Sequence, residues 1–159
     1  MKHRPTLRST TPGFVIALAA IFFGIAAYIT LAEQPARLAL SPGPMLAQWK
    51  ISFSSGIVIQ GALAILTALA ALTAGWLTRD WRWFAGGLLM LANWPWTLAL
   101  IAPINSALLG TAPDAAGAAS VELIQRWGQL HTVRAGISLT ALALFLWASS
   151  RPHSGPARA

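Results

Sequence analysis

The sequence predicts an all-α fold, a four-helix transmembrane bundle with both termini cytoplasmic. Four apolar stretches, each close to the roughly 20 residues that cross a hydrocarbon core, are separated by short charged or proline-bearing turns. Charged residues make up only 9% of the 159-residue chain and hydrophobic residues 56%, which leaves no segment to build a separate soluble domain. Basic residues favour one set of helix ends, and that asymmetry sets the orientation.

Residues 1–12 are expected to form a cytoplasmic tail, with Lys2, Arg4 and Arg8 ahead of the first apolar run. That run, about 13–32, is longer than the apolar core of a cleaved signal peptide, so it is expected to remain as a helix. Ala20 and Gly24 offer a small-xxx-small contact face, and Pro35 in Glu33-Gln-Pro35-Ala-Arg37 is expected to break the helix. A loop over residues 38–50 turns at Ser-Pro-Gly-Pro and closes on Trp49-Lys50, which reads as an interfacial anchor. The second helix, about 53–77, repeats Ala at four-residue spacing and has one strongly polar member, Gln60, suited to joining helices or to meeting a ligand.

A charged, aromatic turn, Thr78-Arg79-Asp80-Trp81-Arg82-Trp83, leads into the third helix, about 84–102. Within that helix Asn93-Trp94-Pro95-Trp96 is unusual for mid-membrane. Pro95 removes one helical hydrogen bond and frees the carbonyl of Leu91, an acceptor that Asn93 could satisfy. The helix exits through Pro103-Ile-Asn105, an echo of Glu33-x-Pro35-x-Arg37. After a flexible segment over 110–119, Ser120 is expected to cap a fourth helix, about 120–149, followed by a disordered C-terminal tail over 150–159.

The fourth helix opens with Trp127-Gly-Gln-Leu-His131-Thr-Val-Arg134. At about 100° per residue, Trp127, His131, Arg134 and Ser138 share one stripe. Ionisable groups entering a membrane either reach for the headgroups or mark a functional site. Topology bears on the choice. Lys2, Arg4, Arg8, Arg79, Arg82, Arg151 and Arg158 fall at one set of ends and Arg37, Lys50, Arg126 and Arg134 at the other, so the richer set is expected in the cytoplasm. Glu33, Arg37, Trp49, Asn105, Trp127, His131 and Arg134 are then expected to meet at the outer end, above Asn93, Trp94 and Trp96. Polar groups converging between bundle helices over aromatic rings form a ligand-site pattern.

The net charge of +7 is spread over helix ends, where it meets lipid headgroups, and no basic-aromatic patch for nucleic acid is present. The absence of cysteine removes thiolate chemistry, and no Gly-rich phosphate loop or Ser-His-Asp set occurs. No metal site and no cofactor are expected from one imidazole and one nearby carboxylate. What remains is acid-base chemistry on a lipophilic aromatic molecule. His131 would remove a proton while Arg134 and Asn105 stabilise the developing oxyanion; Trp94, Trp96 and Trp127 would stack on the substrate, with Asn93, Glu33 and Arg37 around it.

In Glu33-x-Pro35-Ala-Arg37, Gln48-Trp49-Lys50, Asp80-Trp-Arg-Trp, Leu91-Ala-Asn93-Trp-Pro95-Trp, Pro103-x-Asn105-x-x-Leu108 and Trp127-Gly-x-Leu-His131-x-Val-Arg134, the chain resembles the anthrone oxygenase-like family of small four-helix membrane proteins. The resemblance covers about residues 13–149 and implies a multi-pass protein of a bacterial inner membrane. Fungal relatives are assigned to the oxidation of anthrones to anthraquinones with molecular oxygen and no evident cofactor. It also implies that Pro103-x-Asn105, Trp127, His131 and Arg134 form the family's polar motif.

Three functions stay open on sequence alone. They are a cofactor-independent oxygenase acting on a lipophilic aromatic, a non-catalytic protein that binds a lipophile or quinone, and an assembly subunit whose polar residues only lock helices together. Membrane lipids are the expected surroundings, and the sequence specifies no oligomer.

Overall fold

The computed structural model describes residues 7–150, with side chains from residue 11 onward. Helix α1 runs Leu7–Tyr28, passes through a π turn at Ile29–Glu33 and continues as Gln34–Leu38. Helix α2 is Pro42–Thr78. Helix α3 runs Trp81–Trp96, passes through a second π turn at Thr97–Ile101 and ends as Ala102–Gly110; a 3-10 turn, Pro113–Ala115, precedes α4, Ala118–Ser149. There is no strand among the described residues. Four helical spans, Thr11–Leu38, Pro42–Thr78, Trp81–Gly110 and Ala118–Ser149, are long and apolar enough to cross a membrane, so the chain is a multi-pass membrane protein.

Contacts between helix ends fix an up-down-up-down arrangement. Lys50 near the start of α2 donates to the carbonyls of Leu109 and Thr111 at the end of α3. Arg82 at the start of α3 reaches the carbonyl of Trp147 at the end of α4, and Gln34 at the end of α1 reaches that of Ile124 at the start of α4. Both ends of the described chain therefore lie on one side of the bundle.

Two apolar clusters fill the interior. Nearer the termini, Val15, Ala19, Phe22, Ala64, Ala68, Ala71, Trp83, Met90 and Phe145 pack closely, with Trp83 stacked on Phe145 at 5.5 Å. A Cβ on Gly86 would come within 2.3 Å of the Phe145 ring, so the α3–α4 approach at this level requires glycine. At the opposite end Met45, Leu46, Trp49, Ile101, Leu108, Ile124 and Trp127 form a second cluster. The polar residues gather between the two.

Several boundaries differ from expectation. Helix α1 already includes residues 7–12, assigned to the tail, because a helix needs no apolar residues before it meets the bilayer; residues 1–6 and 151–159, the rest of the two expected tails, lie outside the described residues. Pro35 and Pro103 do not end their helices. Each lies two residues beyond a π turn, at the start of the next α segment, where a missing N–H and a fixed φ are tolerated. The echo between the two motifs is thus structural: Arg37 and Asn105 each follow such a proline by two residues.

The expected loop over 38–50 shrinks to residues 39–41, since Pro42 and Pro44 fall in the first turn of α2. Trp49 then sits two turns inside α2, fully buried and stacked on Phe53 at 4.8 Å, and so is not an interfacial anchor. Ser120 is a buried helical residue and Gly117 takes the N-cap position of α4. Ala20 and Gly24 face outward; the packed stripe of α1 is Val15, Ala19, Phe22 and Ala26, one residue out of phase with them.

Candidate functional site

A cleft of about 440 Å³, counted to its open mouth, lies between the two apolar clusters. Among its walls are Glu33 and Arg37 from α1, Gln60 from α2, Asn105 from α3, and His131 and Arg134 from α4. The π turns help to build it. Wider than an α turn by one residue, they contribute Ile29, Glu33, Thr97 and Ile101 to the cleft walls, and Thr30 in the first lies 3.4 Å from His131 through Oγ1 and Nδ1.

Trp127 is the hub of the aromatic side. His131, one turn along α4, lies on it with ring centroids 4.9 Å apart and planes 20° apart, and Trp49 meets it edge-on at 6.0 Å. The Arg37 guanidinium carbon is 5.6 Å from the same indole centroid, within cation–π range. The Trp127 N–H donates to Asn105 Oδ1 at 3.0 Å. An indole nitrogen can only donate, so this contact fixes the amide with Nδ2 on its other side.

Glu33 and Arg37 belong to a buried network. Arg37 Nη2 donates to Glu33 Oε1 at 2.6 Å and to Ser52 Oγ at 2.9 Å, Nη1 donates to Gln34 Oε1 at 2.6 Å, and Nε donates to Gln48 Oε1. Gln48 closes the ring by donating to Glu33 at 2.9 Å. Each N–H side of the guanidinium is answered, which is the condition under which a buried charge is tolerated. Glu33 therefore spends its carboxylate on Arg37.

Arg134 is different. Among the described residues it has no ion pair and no hydrogen bond, its Nε is buried without a partner, and its guanidinium carbon lies 5.7 Å from the Phe22 ring centroid. By contrast Arg82, which is fully buried where Arg134 is half-buried, is held by Asp80 and by the carbonyl of Trp147. Arg134 lines the cleft with a charge that no carboxylate answers.

The remaining sequence-selected residues fall elsewhere. Asn93 and Trp94 line a second cavity, which shares Gln60, Asn105 and Arg134 with the first. Trp96 lines neither cavity: its N–H donates to the Leu130 carbonyl at 3.2 Å, so it ties α3 to α4, and it packs on the second apolar cluster. It does not form an aromatic floor with Trp94, because helical residues two positions apart point to nearly opposite faces, about 160° from one another. Asn93 donates to the carbonyls of Leu89 and Met90, not to Leu91, since helical side chains lean back over the preceding turn. Sequence reasoning missed Thr30, Gln34, Gln48, Ser52 and Thr97. The signal for Gln34 and Gln48 was available, as amides flanking an ion pair in otherwise apolar surroundings. No three His, Cys, Asp or Glu side chains among the described residues gather as metal ligands would.

A family model described as anthrone oxygenase matches residues 49–144, more than half of the chain. The chain belongs to the anthrone oxygenase family. No curated protein and no solved structure matches it. The family match contains Asn105, Trp127, His131 and Arg134, whereas Glu33, Arg37 and Gln34 on α1 fall outside the matched residues. In this anthrone oxygenase family member, the matched helices thus carry the imidazole and the unanswered guanidinium. The segment before them carries the network that surrounds Trp127.

Proposed function

We propose that this protein oxidises a lipophilic aromatic ketone of the anthrone type with molecular oxygen, without a cofactor, in the cleft between its helices. The observation that carries the proposal is the pairing of His131 with the unanswered Arg134 in one cleft, one helical turn apart. Membership of the anthrone oxygenase family supports the substrate class.

An anthrone carries a methylene group whose protons are acidified by the conjugated ketone. With a proton on Nδ1 directed to Thr30, His131 keeps the Nε2 lone pair as the base. Removing the methylene proton moves an electron pair onto the ketone oxygen, where Arg134 and Asn105 Nδ2 stabilise it. The electron-rich anion bonds to O2 at carbon and gives a peroxide after reprotonation. Loss of water then breaks the O–O bond and the second C–H bond. One oxygen atom remains as the new carbonyl and the other leaves with both methylene hydrogens.

The test is turnover in purified, lipid-reconstituted protein, followed by oxygen uptake and quinone absorbance after anthrone is added. His131→Gln is expected to reduce the rate by about 10²-fold or more, as for loss of a general base. Wild-type protein that binds anthrone without consuming oxygen replaces the oxygenase with a lipophile-binding role. Undiminished turnover in His131→Gln removes the imidazole from the mechanism.

A further inference from the structure

We propose that the second cavity is a binding site reached sideways from the bilayer between α2 and α3, which takes a lipophile bearing both a hydroxyl group and an acceptor oxygen. The inference does not depend on turnover, and holds equally for a substrate or for a lipophile that is only bound.

The cavity encloses about 550 Å³, mouth included, and its walls divide into two parts. Deep in it the polar Gln60, Asn93, Asn105 and Arg134 stand beside the buried apolar Ala64; at the rim are Ile57, Trp94 and Leu98, which are 47%, 39% and 60% exposed. An opening with an apolar rim on a membrane-facing seam admits molecules dissolved in the hydrocarbon. Gly61 helps to keep that seam open: a Cβ there would lie 3.6 Å from the Trp94 ring, so any longer side chain projects into the gap beside the indole.

The polar end of the cavity carries unmatched hydrogen-bonding capacity of both kinds. Asn93 is 1% exposed, and its Nδ2 is committed to the carbonyls of Leu89 and Met90, at 3.3 and 3.2 Å. A carbonyl accepts only, so the amide orientation is settled, and Oδ1 is left as a buried acceptor with no partner. Arg134 supplies the complementary deficit through a buried Nε with no acceptor. Gln60, 3% exposed and without a hydrogen-bond partner among the described residues, stands between the two cavities as a wall of both. Water can answer such groups near a membrane surface. Deeper in the bilayer, where bulk water is scarce, a bound molecule that carries both kinds of group is the partner that fits them.

The pattern specifies the ligand's polar edge. A hydroxyl donates to Asn93 Oδ1, while a carbonyl or ionised oxygen elsewhere on the molecule accepts from Arg134. The apolar remainder lies in the seam against Ile57, Trp94 and Leu98. A lipophile with an acceptor alone leaves Asn93 unanswered, so Asn93 discriminates for the hydroxyl and Gly61 controls access.

The experiment is photolabelling of the full chain in lipid nanodiscs with 4-hydroxybenzophenone, and with benzophenone, which lacks the hydroxyl, as its comparison. Labelled peptides are mapped by mass spectrometry. Labelling by the hydroxylated probe is expected within residues 57–64 and 93–98, at least ten-fold lower in Gly61→Leu and in Asn93→Leu. Gly61→Ala, whose added methyl makes an ordinary contact with Trp94, retains it. Benzophenone is expected to enter the seam more weakly and to be indifferent to Asn93→Leu. Equal loss of both probes in Asn93→Leu overturns the hydroxyl assignment, and labelling unaffected by Gly61→Leu, or confined to residues 49–53 and 127–131, overturns the lateral route. His131→Gln retains the labelling pattern whether or not turnover is lost, so failure of this site is distinguishable from failure of the oxygenase proposal.

Discussion

Gln34 occupies the space that a side chain on Gly128 would need: a Cβ at position 128 would lie 2.6 Å from Gln34 Nε2 and 2.9 Å from Cδ. The same Gln34 pins α1 to α4 through the Ile124 carbonyl and answers Arg37. Gly128→Ala must therefore push out a buried amide that has two commitments. We expect a loss of about 1–3 kcal/mol of stability, as for other overpacked sites, read as a lower Tm in detergent. Gly136→Ala, on the same helix with nothing within 4 Å, is the control and is expected to be neutral or stabilising by up to about 1 kcal/mol. Equal shifts in the two variants would mean that helix propensity, not the Gln34 contact, is being measured.

The four helices were legible because apolar length is a local property of sequence, and the charged, aromatic stretch at 78–83 was readable as a turn, although α3 begins within it at Trp81 with Asp80 as its cap. What could not be read was how the prolines behave. Pro35 and Pro103 are helix breakers by local rules, yet the π turns ahead of them absorb the missing hydrogen bond and carry α1 and α3 onward by 5 and 9 residues. That continuation decides the site. It buries Arg37 within hydrogen-bonding reach of Gln34 and Gln48, and brings Asn105 onto Trp127. The stripe of Trp127, His131 and Arg134 was visible from spacing alone. Whether Glu33 would answer Arg37 or Arg134 was not, because the choice depends on the rotation of α1 against α4.

Among the described residues, Thr30 makes the one hydrogen-bonding contact of His131, at 3.4 Å. Thr30→Val keeps the shape of the side chain and removes the hydroxyl. Loss of a single neutral hydrogen bond of about 1 kcal/mol corresponds to roughly a fivefold lower kcat, with KM little changed if the hydroxyl orients the imidazole and does not touch substrate. Thr30→Ser is expected to restore the rate. A raised KM with unchanged kcat would place Thr30 in the substrate-binding wall.

The distribution of basic residues predicts which way the bundle faces. Arg79 and Arg82 lie at the end shared with both ends of the described chain, and the opposite end has Arg37, Lys50 and Arg126. With Lys2, Arg4, Arg8, Arg151 and Arg158 added, the first set is richer, which favours the cytoplasm for it. A fluorescent protein fused after Ala159 is expected to fold and emit. Alkaline phosphatase inserted near Ala115, in the turn between α3 and α4, is expected to be active outside. The reverse pattern would place the mouth near Trp127 on the cytoplasmic side.

Arg134 separates a functional site from a structural one most directly. A snorkelling arginine carries a flexible stem and a positive head, and lysine replaces it with little effect. A guanidinium that stabilises an oxyanion works through its planar fork, which lysine lacks, and an ammonium is harder to strip of water in a partly apolar cleft. Arg134 already forgoes any carboxylate partner among the described residues, so removing its fork disturbs no ion pair in the folded protein. Arg134→Lys is accordingly expected to leave the Tm nearly unchanged and to lose about 2 kcal/mol or more of transition-state stabilisation, roughly 30-fold or more in kcat/KM for anthrone oxidation. A fall confined to KM would assign Arg134 to ground-state binding, and kinetics indistinguishable from wild type would leave His131 and Asn105 to carry the chemistry without it.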